Sequence, residues 1–492
     1  MFLVQLAALA LHEAGREDIP GREDEWLTLL RGLTPAYPND EPWCLIVDNW
    51  SKPGFLQPAV PDGVRLGNDV QTADGLDLLI TSRNHDLKQM IARQGSAEDW
   101  LLALVSLQTG EGYGGAGNQG IVRMNGGSSS RAMLTLAPLA PGKAMAVRPG
   151  AWFRRDLRVL LETRERVLES TQVDYADDGI GLTWLAPWPE GDQLHLKDLD
   201  IWFIEVCRRV RLSNRDGRIT AIKGTSRETR IAAKALKGNL DDPWAPIHKG
   251  EGKSLTIGDE GEFDYRTLTK LLFSGEWTLP LLANRASFEG PDRPLAIVAQ
   301  ALARGNSKTG GFRSRIVPLE SRQIIRGWGA PKSQEILRLL AQEQTKAIKA
   351  FEDALSRALS TFSVASLGSK GLEEDKVEFE KRLRKYRDLA EPARSQLDRF
   401  ADAIFFEHLW RRFEVEASDE ASRNVEELAF ASSLWERTRM IFEQFLPNMP
   451  CHSLYRLRAE VRARRALRSK DLRESYPELF AAHNAREETE DA

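Results

Sequence analysis

Apolar positions keep two different rhythms along this chain, and the change falls near residue 330. From Pro331 onward, Ile336, Leu337, Leu340, Ile348, Phe351, Leu355 and Leu359 hold a 3.6-residue stripe. Pro331 suits the first position of that helix. Further helical stretches are expected at about 374–389, 393–414, 421–446 and 452–470. Breaks come at Gly368–Gly371, near Pro392, at Ser418–Ala421 and at Pro447–Pro450, and no glycine follows Gly371. Helices joined by short loops describe an antiparallel helix bundle over 331–492.

Before residue 330 the pattern is mixed. MFLVQLAALALHEAG predicts an amphipathic helix and Glu25–Leu30 a second one. Pro35–Pro61 carries six prolines and reads as irregular, with a short strand at Leu45–Val47. Glu98–Thr109 predicts a helix capped by Asp99, Ala132–Leu139 and Lys143–Val147 predict strands, and Ala151–Leu161 begins a helix. Over 170–260, short apolar runs (Ile180–Trp184, Ile201–Val206, Ile219–Ile222) alternate with turn signals such as NRDG, the mark of hairpins. Ser254–Ile257, a helix from Phe263 to Phe273 and a run at Leu295–Ala303 follow. Residues 304–320, RGNSKTGGFRSRIVPLE, read as a basic glycine-containing loop. The fold class is therefore α+β: a large mixed α/β domain at 1–330, then the bundle.

Composition narrows the function classes. The chain has 492 residues, 42% hydrophobic and 28% charged, enough for sizeable cores. A net charge of −4 makes any nucleic-acid site a local patch. Cys44, Cys207 and Cys451 form no CxxC pair and no even set, as in a reduced, cytoplasmic protein. The opening apolar stretch lacks a basic leader and carries His12 and Glu13, unlike a signal peptide. No apolar run reaches about 18 residues, so no membrane span is expected.

The densest chemical signal is Gly110–Gly127, where eight of eighteen residues are glycine. Such a cluster calls for positive φ or close backbone approach. Arg123, Asn125 and Arg131 lie in or beside it, with donors suited to phosphates or base edges. Gly112, Gly114 and Gly117 spell GxGxxG. A dinucleotide site needs a strand before, a helix after and an acid about twenty residues on. The preceding segment is helical in pattern and the region near residue 137 has no acid. Two readings stay open, a structural loop and a loop of backbone donors facing nucleic acid. GNSKTGG at 305–311 fails as a Walker motif, because Ser307 and Leu302 stand where glycines are required. It reads as a surface turn or as a basic tip that contacts a duplex. His85-Asp86 finds no metal-ligand spacing with the other histidines. No nucleophile elbow, no HExxH and no catalytic carboxylate pair appear, so no enzyme, metal or cofactor is expected. Arg458, Arg462 and Arg465 share a helix face, either solvated beside Glu460 or tracking single-strand phosphates. KRLRKYR at 381–387 has the same two readings.

The order of these pieces resembles a known family. Gly54–Pro58, Thr81–Lys88, Gly112–Gly127, Asp242–Ile247 and Arg304–Pro318, followed by a helix bundle, look like the large subunit of type I-E CRISPR surveillance complexes (Cascade). The resemblance implies a non-catalytic subunit. It would read the protospacer-adjacent motif in duplex DNA, help open the duplex into an R-loop and hold the displaced strand. It would also recruit an effector helicase–nuclease, while guide RNA pairing reads the sequence. Its partners would be crRNA-bearing Cascade subunits, target duplex and displaced single strand. Gly114, Gly115, Ala116, Gly117 and Asn118 match the motif-reading loop, which meets the permissive minor groove. One of Arg230, Lys234 and Lys237 would supply a lysine-type contact. The wedge loop maps to Gly305–Gly311, where Asn306, Lys308 and Thr309 stand, with Arg313 and Arg315 beyond. Well-known members carry Gln and Asn at the wedge. Arg83, Asn84, His85 and Lys88 map to the loop that meets the guide RNA and its neighbouring subunit. Two departures accompany the likeness: the opening strand and turn of other members is missing or moved to the EPWCLIVDNW stretch, and no Cys-rich insertion is present. The alternative from another class is a nucleotide- or phosphate-binding enzyme built on Gly112–Gly117.

Overall fold

The computed structural model describes residues 1–76, 95–140, 146–290, 293–305, 308–319, 321–365 and 376–481. The chain divides into two compact units. One comprises Met1–Phe263 and Lys270–Leu319, the other Asp264–Thr269 and Glu320–Ala492.

In the first unit, α1 (Phe2–Glu13) and α2 (Glu23–Gly32) precede β1 (Asn68–Val70) and α3 (Ala73–Leu76). The sequence pattern predicts an amphipathic α1, but the helix is enclosed on all sides. Every residue from Val4 to Leu11 is buried. Its one buried polar side chain, Gln5, donates to the carbonyls of Trp202 and Phe203 at 3.2 and 3.0 Å. That pairing removes the cost of enclosing an amide. Leu45–Val47 forms no strand. Side chains take its carbonyls instead: Gln57 Nε2 reaches Leu45 at 2.8 Å and Arg211 reaches Val47 at 3.0 Å.

Helix α4 (Ala97–Gly110) starts one residue earlier than its pattern implies, because Ser96 is the N-cap. Asp99 sits at N3 and completes a capping box. Then come β2 (Met133–Pro138), α5 (Pro149–Ser170), β3 (Ile180–Leu182), β4 (Leu199–Ile204), β5 (Arg209–Arg215) and β6 (Arg218–Gly224). Asp216 and Gly217, at φ 53 and 78, close the β5–β6 hairpin in the two-residue turn that NRDG announces. After β7 (Ile247–His248) and β8 (Lys253–Ser254), the helix α6 (Tyr265–Phe273) begins with residues grouped in the second unit. The first unit ends with β9 (Trp277–Thr278), β10 (Leu295–Gly305) and β11 (Lys308–Leu319).

The described residues of 304–320 are thus no loop. They are largely a strand, paired antiparallel with β10 from Leu295↔Leu319 to Gly305↔Lys308. Phe312, Ser314 and Ile316 alternate with Arg313, Arg315 and Val317, a period of two that three glycines and four basic residues of 304–320 obscure. The sheet order is β11-β10-β2, so β11 is an edge among the described residues.

The second unit holds α7 (Arg322–Gly327), α8 (Pro331–Ala365), α9 (Lys376–Tyr386), α10 (Glu391–Val415), α11 (Glu420–Phe445), α12 (Arg456–Leu467) and α13 (Lys470–Ser475). The 35-residue α8 packs against α9, α10, α11 and α12. It buries Leu337, Leu340, Ile348, Phe351, Leu355 and Leu359, the positions of its stripe. Each such side chain contributes on the order of 1.5–3 kcal/mol.

Candidate nucleic-acid interface

The glycine segment leaves the C-terminus of α4 and splits into a packed base and an open tip. Glu111 bridges Ser130, and Arg131 N donates to Gly110 O at 2.9 Å. Gly112 has no room for a Cβ, being hemmed by the Ser129 and Gly127 carbonyls and Met124 Sδ. Gly120 lies equally close to the backbone of Gly112. Arg208 donates to Gly112 O at 2.8 Å from a buried position. At the tip, Gly114 N donates to Asn118 O and Asn118 N to Gly115 O, both at 2.9 Å. Gly115 stands at φ +107 and Gly117 at +77. The amides of Gly115, Ala116 and Gly117 donate to no acceptor among the described residues, and Gly114 and Ala116 are exposed. No helix follows the tip, so the GxGxxG spelling opens no helix N-terminus.

Two neighbours are wired to this loop. Buried Glu111 pairs with buried Arg304 near the end of β10. Ser130 Oγ donates to Leu302 O at 2.6 Å and accepts from Leu302 N at 3.1 Å. Beyond Arg304, Gly305 and Gly310 both press on Asp259, so the end of the β10–β11 hairpin is held beside the glycine base. On another side, Ser226 N donates to Gly117 O at 2.9 Å, and Gln119 Nε2 to Arg227 O at 2.8 Å. Gly238 packs on Met124, which sets the turn carrying exposed Lys234 and Lys237 against the same segment. Exposed Arg227 thereby joins the set. Only its place in a basic run marks it in the sequence.

Several expected donors face inward instead. Arg123 is buried, with Nη2 3.0 Å from Ile201 O and its guanidinium 4.0 Å over the Phe203 ring. Arg131 is buried in a bidentate pair with Asp242 at 2.6 and 2.7 Å. Arg230 is buried and donates to the carbonyls of Ala186 and Pro187 at 2.9 and 3.0 Å. Asn125 Nδ2 is spent on Ser254 O at 2.9 Å. These four hold the fold around the loop and are withdrawn as DNA contacts. Arg313 Nε donates to Gly261 O at 3.1 Å and braces the hairpin. Thr309 pairs with Arg304 in the ladder, and Arg315 with Ala299. Arg83, Asn84, His85, Lys88, Asn306 and the Lys308 side chain lie outside the described residues.

On α12, Arg458 and Arg462 are half-buried and Arg465 is exposed. Leu457 and Val461 on the same helix are exposed by 82% and 68%, and Leu454 just before it by 75%.

Glu205 ties the second half of the glycine segment to β4. Its carboxylate accepts from Val122 N at 2.9 Å. Burial pushes this carboxyl up from 4.5 to about 7, against the pull of the Val122 amide and the Arg123 guanidinium. A carboxyl raised on folding stabilises fully below its unfolded pKa and loses that contribution as pH rises through the folded one. Stability of the first unit is thus expected to fall as pH rises from 4.5 to about 7, by about 3 kcal/mol. Glu205→Gln should flatten that slope in denaturation midpoints measured across the window. Parallel profiles for the two proteins would exclude the carboxyl as its source.

A cleft of about 370 Å³ in the first unit is lined by His12, Glu13, Asp177, Asp178 and neighbours, none from the glycine loop. Among the described residues no cluster of three or more His, Cys, Asp or Glu could hold a metal. No helix among them is long and apolar enough to cross a membrane.

No protein-family model matches the sequence, and no curated protein does. Solved structures do match the fold. CasA from Thermus thermophilus aligns over 94% of this chain and 89% of its own, at 17% identity and a TM-score of 0.55. The CRISPR-associated protein Cse1 from Acidimicrobium ferrooxidans aligns over 96% and 90%, at 15% identity and 0.52. Thermobifida fusca Cse1 aligns over 95% and 89%, at 13% identity and 0.52. The chain has the fold of the CasA (Cse1) proteins, the mixed α/β body and helical C-terminal region that the order of its short motifs resembles.

Proposed function

We propose that this chain is the non-catalytic large subunit of a CRISPR RNA-guided Cascade complex. In this reading it recognises the protospacer-adjacent motif in duplex DNA, helps open the duplex and form the R-loop, holds the displaced strand and recruits the effector helicase–nuclease. One observation carries the reading. The three consecutive amides of Gly115, Ala116 and Gly117 find no acceptor among the described residues and form a tip on which Ala116 is exposed, and the base of that loop is salt-bridged to the β10–β11 hairpin through Glu111 and Arg304. A backbone tip with almost no side chain can enter a narrow groove and donate to its acceptors. Arg227, Lys234 and Lys237 flank it with cations for the phosphates. In this reading the hairpin beside it meets the strands where they part.

Ala116→Glu tests the tip without disturbing the fold, since Ala116 is exposed. In a complex co-expressed with the crRNA-bearing subunits, it should weaken duplex-target binding at least about tenfold, as a carboxylate meets phosphate. The melting temperature and copurification should stay unchanged. Unaltered duplex binding would remove the tip from motif reading. A chain that never copurifies with RNA beside its operon partners would sink the whole assignment. A saturable rise in melting temperature with nucleotide would favour an enzyme instead.

A further inference from the structure

We infer that Tyr113 is a phosphate contact at the stem of the glycine tip, its hydroxyl donating to one phosphate of the duplex whose groove the tip enters. The inference rests on the nucleic-acid reading above and adds to it a residue and the group it meets. Tyr113 is the one aromatic residue in Gly110–Gly127 and is 39% exposed. Its backbone is pinned. Tyr113 N donates to Gly127 O at 2.7 Å, Gly112 before it has no room for a Cβ, and a Cβ on Gly120 would stand 2.8 Å from Tyr113 N. Immediately after it, Gly114 N donates to Asn118 O and closes the tip. The exposed ring thus stands where the packed base gives way to the open tip.

The polar side chains around it are already engaged. Glu111, the only acid of the segment, is buried against Arg304. Gln119 Nε2 is bonded to Arg227 O at 2.8 Å, and Asn118 Nδ2 lies 3.5 Å from Ala116 O. The Tyr113 hydroxyl has no partner among the described residues. It is a neutral donor beside the amides of Gly115, Ala116 and Gly117, which find no acceptor there either. A ligand that answers all four offers acceptors at two depths. A duplex groove does so, with base-edge acceptors on its floor and phosphates along its rim. The minor groove is about 6 Å wide and about 7.5 Å deep. The bare backbone of the tip can reach the floor, while a phenol ring beside it is too broad to follow and stays at the rim, against sugar and phosphate. A contact there fixes the register of the tip on the duplex and carries no base preference of its own.

The test uses the complex co-expressed with the crRNA-bearing subunits and duplex targets in which one phosphate at a time is replaced by a methylphosphonate. Tyr113→Phe removes the hydroxyl alone. It should weaken duplex binding about three- to tenfold, with the slope of affinity against salt unchanged, because a neutral donor releases no counterion. Melting temperature and copurifying subunits should match wild type. At one phosphate beside the motif the difference between wild type and Tyr113→Phe should vanish, and at the others it should persist. A hydroxyl that merely packs the loop would show no such position. Equal duplex affinity of the two proteins, or a difference that no methylphosphonate removes, would overturn the inference and leave the Cascade reading standing. So would loss of copurifying subunits from Tyr113→Phe, which would make the hydroxyl a protein contact. A wild-type chain that copurifies without RNA would remove the reading and the inference together.

Discussion

Arg131→Met is expected to destabilise the first unit by about 3–5 kcal/mol, the cost of stranding one partner of a buried ion pair. Arg131 meets both oxygens of Asp242, and the two side chains are 2% and 0% exposed. A third hydrogen bond goes to Gln5 Oε1 at 3.2 Å, and the guanidinium lies 5.3 Å from the Trp244 ring. Asp242 in turn accepts from Trp244 N at 3.1 Å and turns the Asp-Pro-Trp segment, whose Trp244 carbonyl accepts from Leu134 N at 2.8 Å. One ion pair thus fastens the exit of the glycine segment to the start of β2. Burial alone would raise the Asp242 carboxyl, but attraction and hydrogen bonds from Arg131 outweigh it and hold it below the ordinary carboxylate value. With methionine in place the carboxyl should take up a proton, so the variant should regain stability as pH falls. Thermal melting should show a loss of about 10 °C near neutral pH. Arg131→Met with Asp242→Asn should recover most of it, because no charge is then buried alone. A drop of only a degree or two in the single variant would mean that water or relaxation compensates the carboxylate.

That pair also shows where reading the sequence stops. Arg131 and Asp242 are 111 positions apart, and nothing local marks either as the other's partner. A charged side chain in a glycine-rich segment reads as a ligand donor because charge is visible in a sequence and burial is not. Arg123 and Arg230 mislead in the same way, each buried and donating to carbonyls from distant segments. Local signals fare better. The capping box at Ser96 and Asp99, the Asp216–Gly217 turn and the stripe of α8 depend on residues within a few positions of one another, and each lies where its pattern places it, within one or two residues. The strand β11 is hidden because Gly310, Gly311 and its arginines outweigh the alternation beginning at Phe312. The tip amides at 115–117 are likewise invisible, since a sequence shows glycines but not which of their N–H groups find acceptors.

Gly112→Ala should separate the two roles of the glycine cluster. A Cβ at Gly112 would collide with the Ser129 carbonyl and stand 2.7 Å from both Gly127 O and Met124 Sδ. The two carbonyls are backbone groups and cannot rotate away, so the segment must move. Moving it breaks the bonds from Tyr113 N to Gly127 O at 2.7 Å and from Arg208 to Gly112 O at 2.8 Å, leaving a buried guanidinium short of an acceptor. Overpacking costs about 1–3 kcal/mol and the stranded donor adds to it, so a loss near the upper end, about 3 kcal/mol, is expected. Duplex binding should fail with it, because the base that aims the tip has shifted. Gly126 offers the contrast. It stands at φ +84 with nothing within 4 Å of the place a Cβ would take, so Gly126→Ala meets backbone strain of about 1–2 kcal/mol and no collision. Its DNA binding should survive. Ala116→Glu completes the set, with stability kept and binding lost. If Gly112→Ala melts early yet binds duplex normally at low temperature, the base does not aim the tip, and the glycines there serve packing alone.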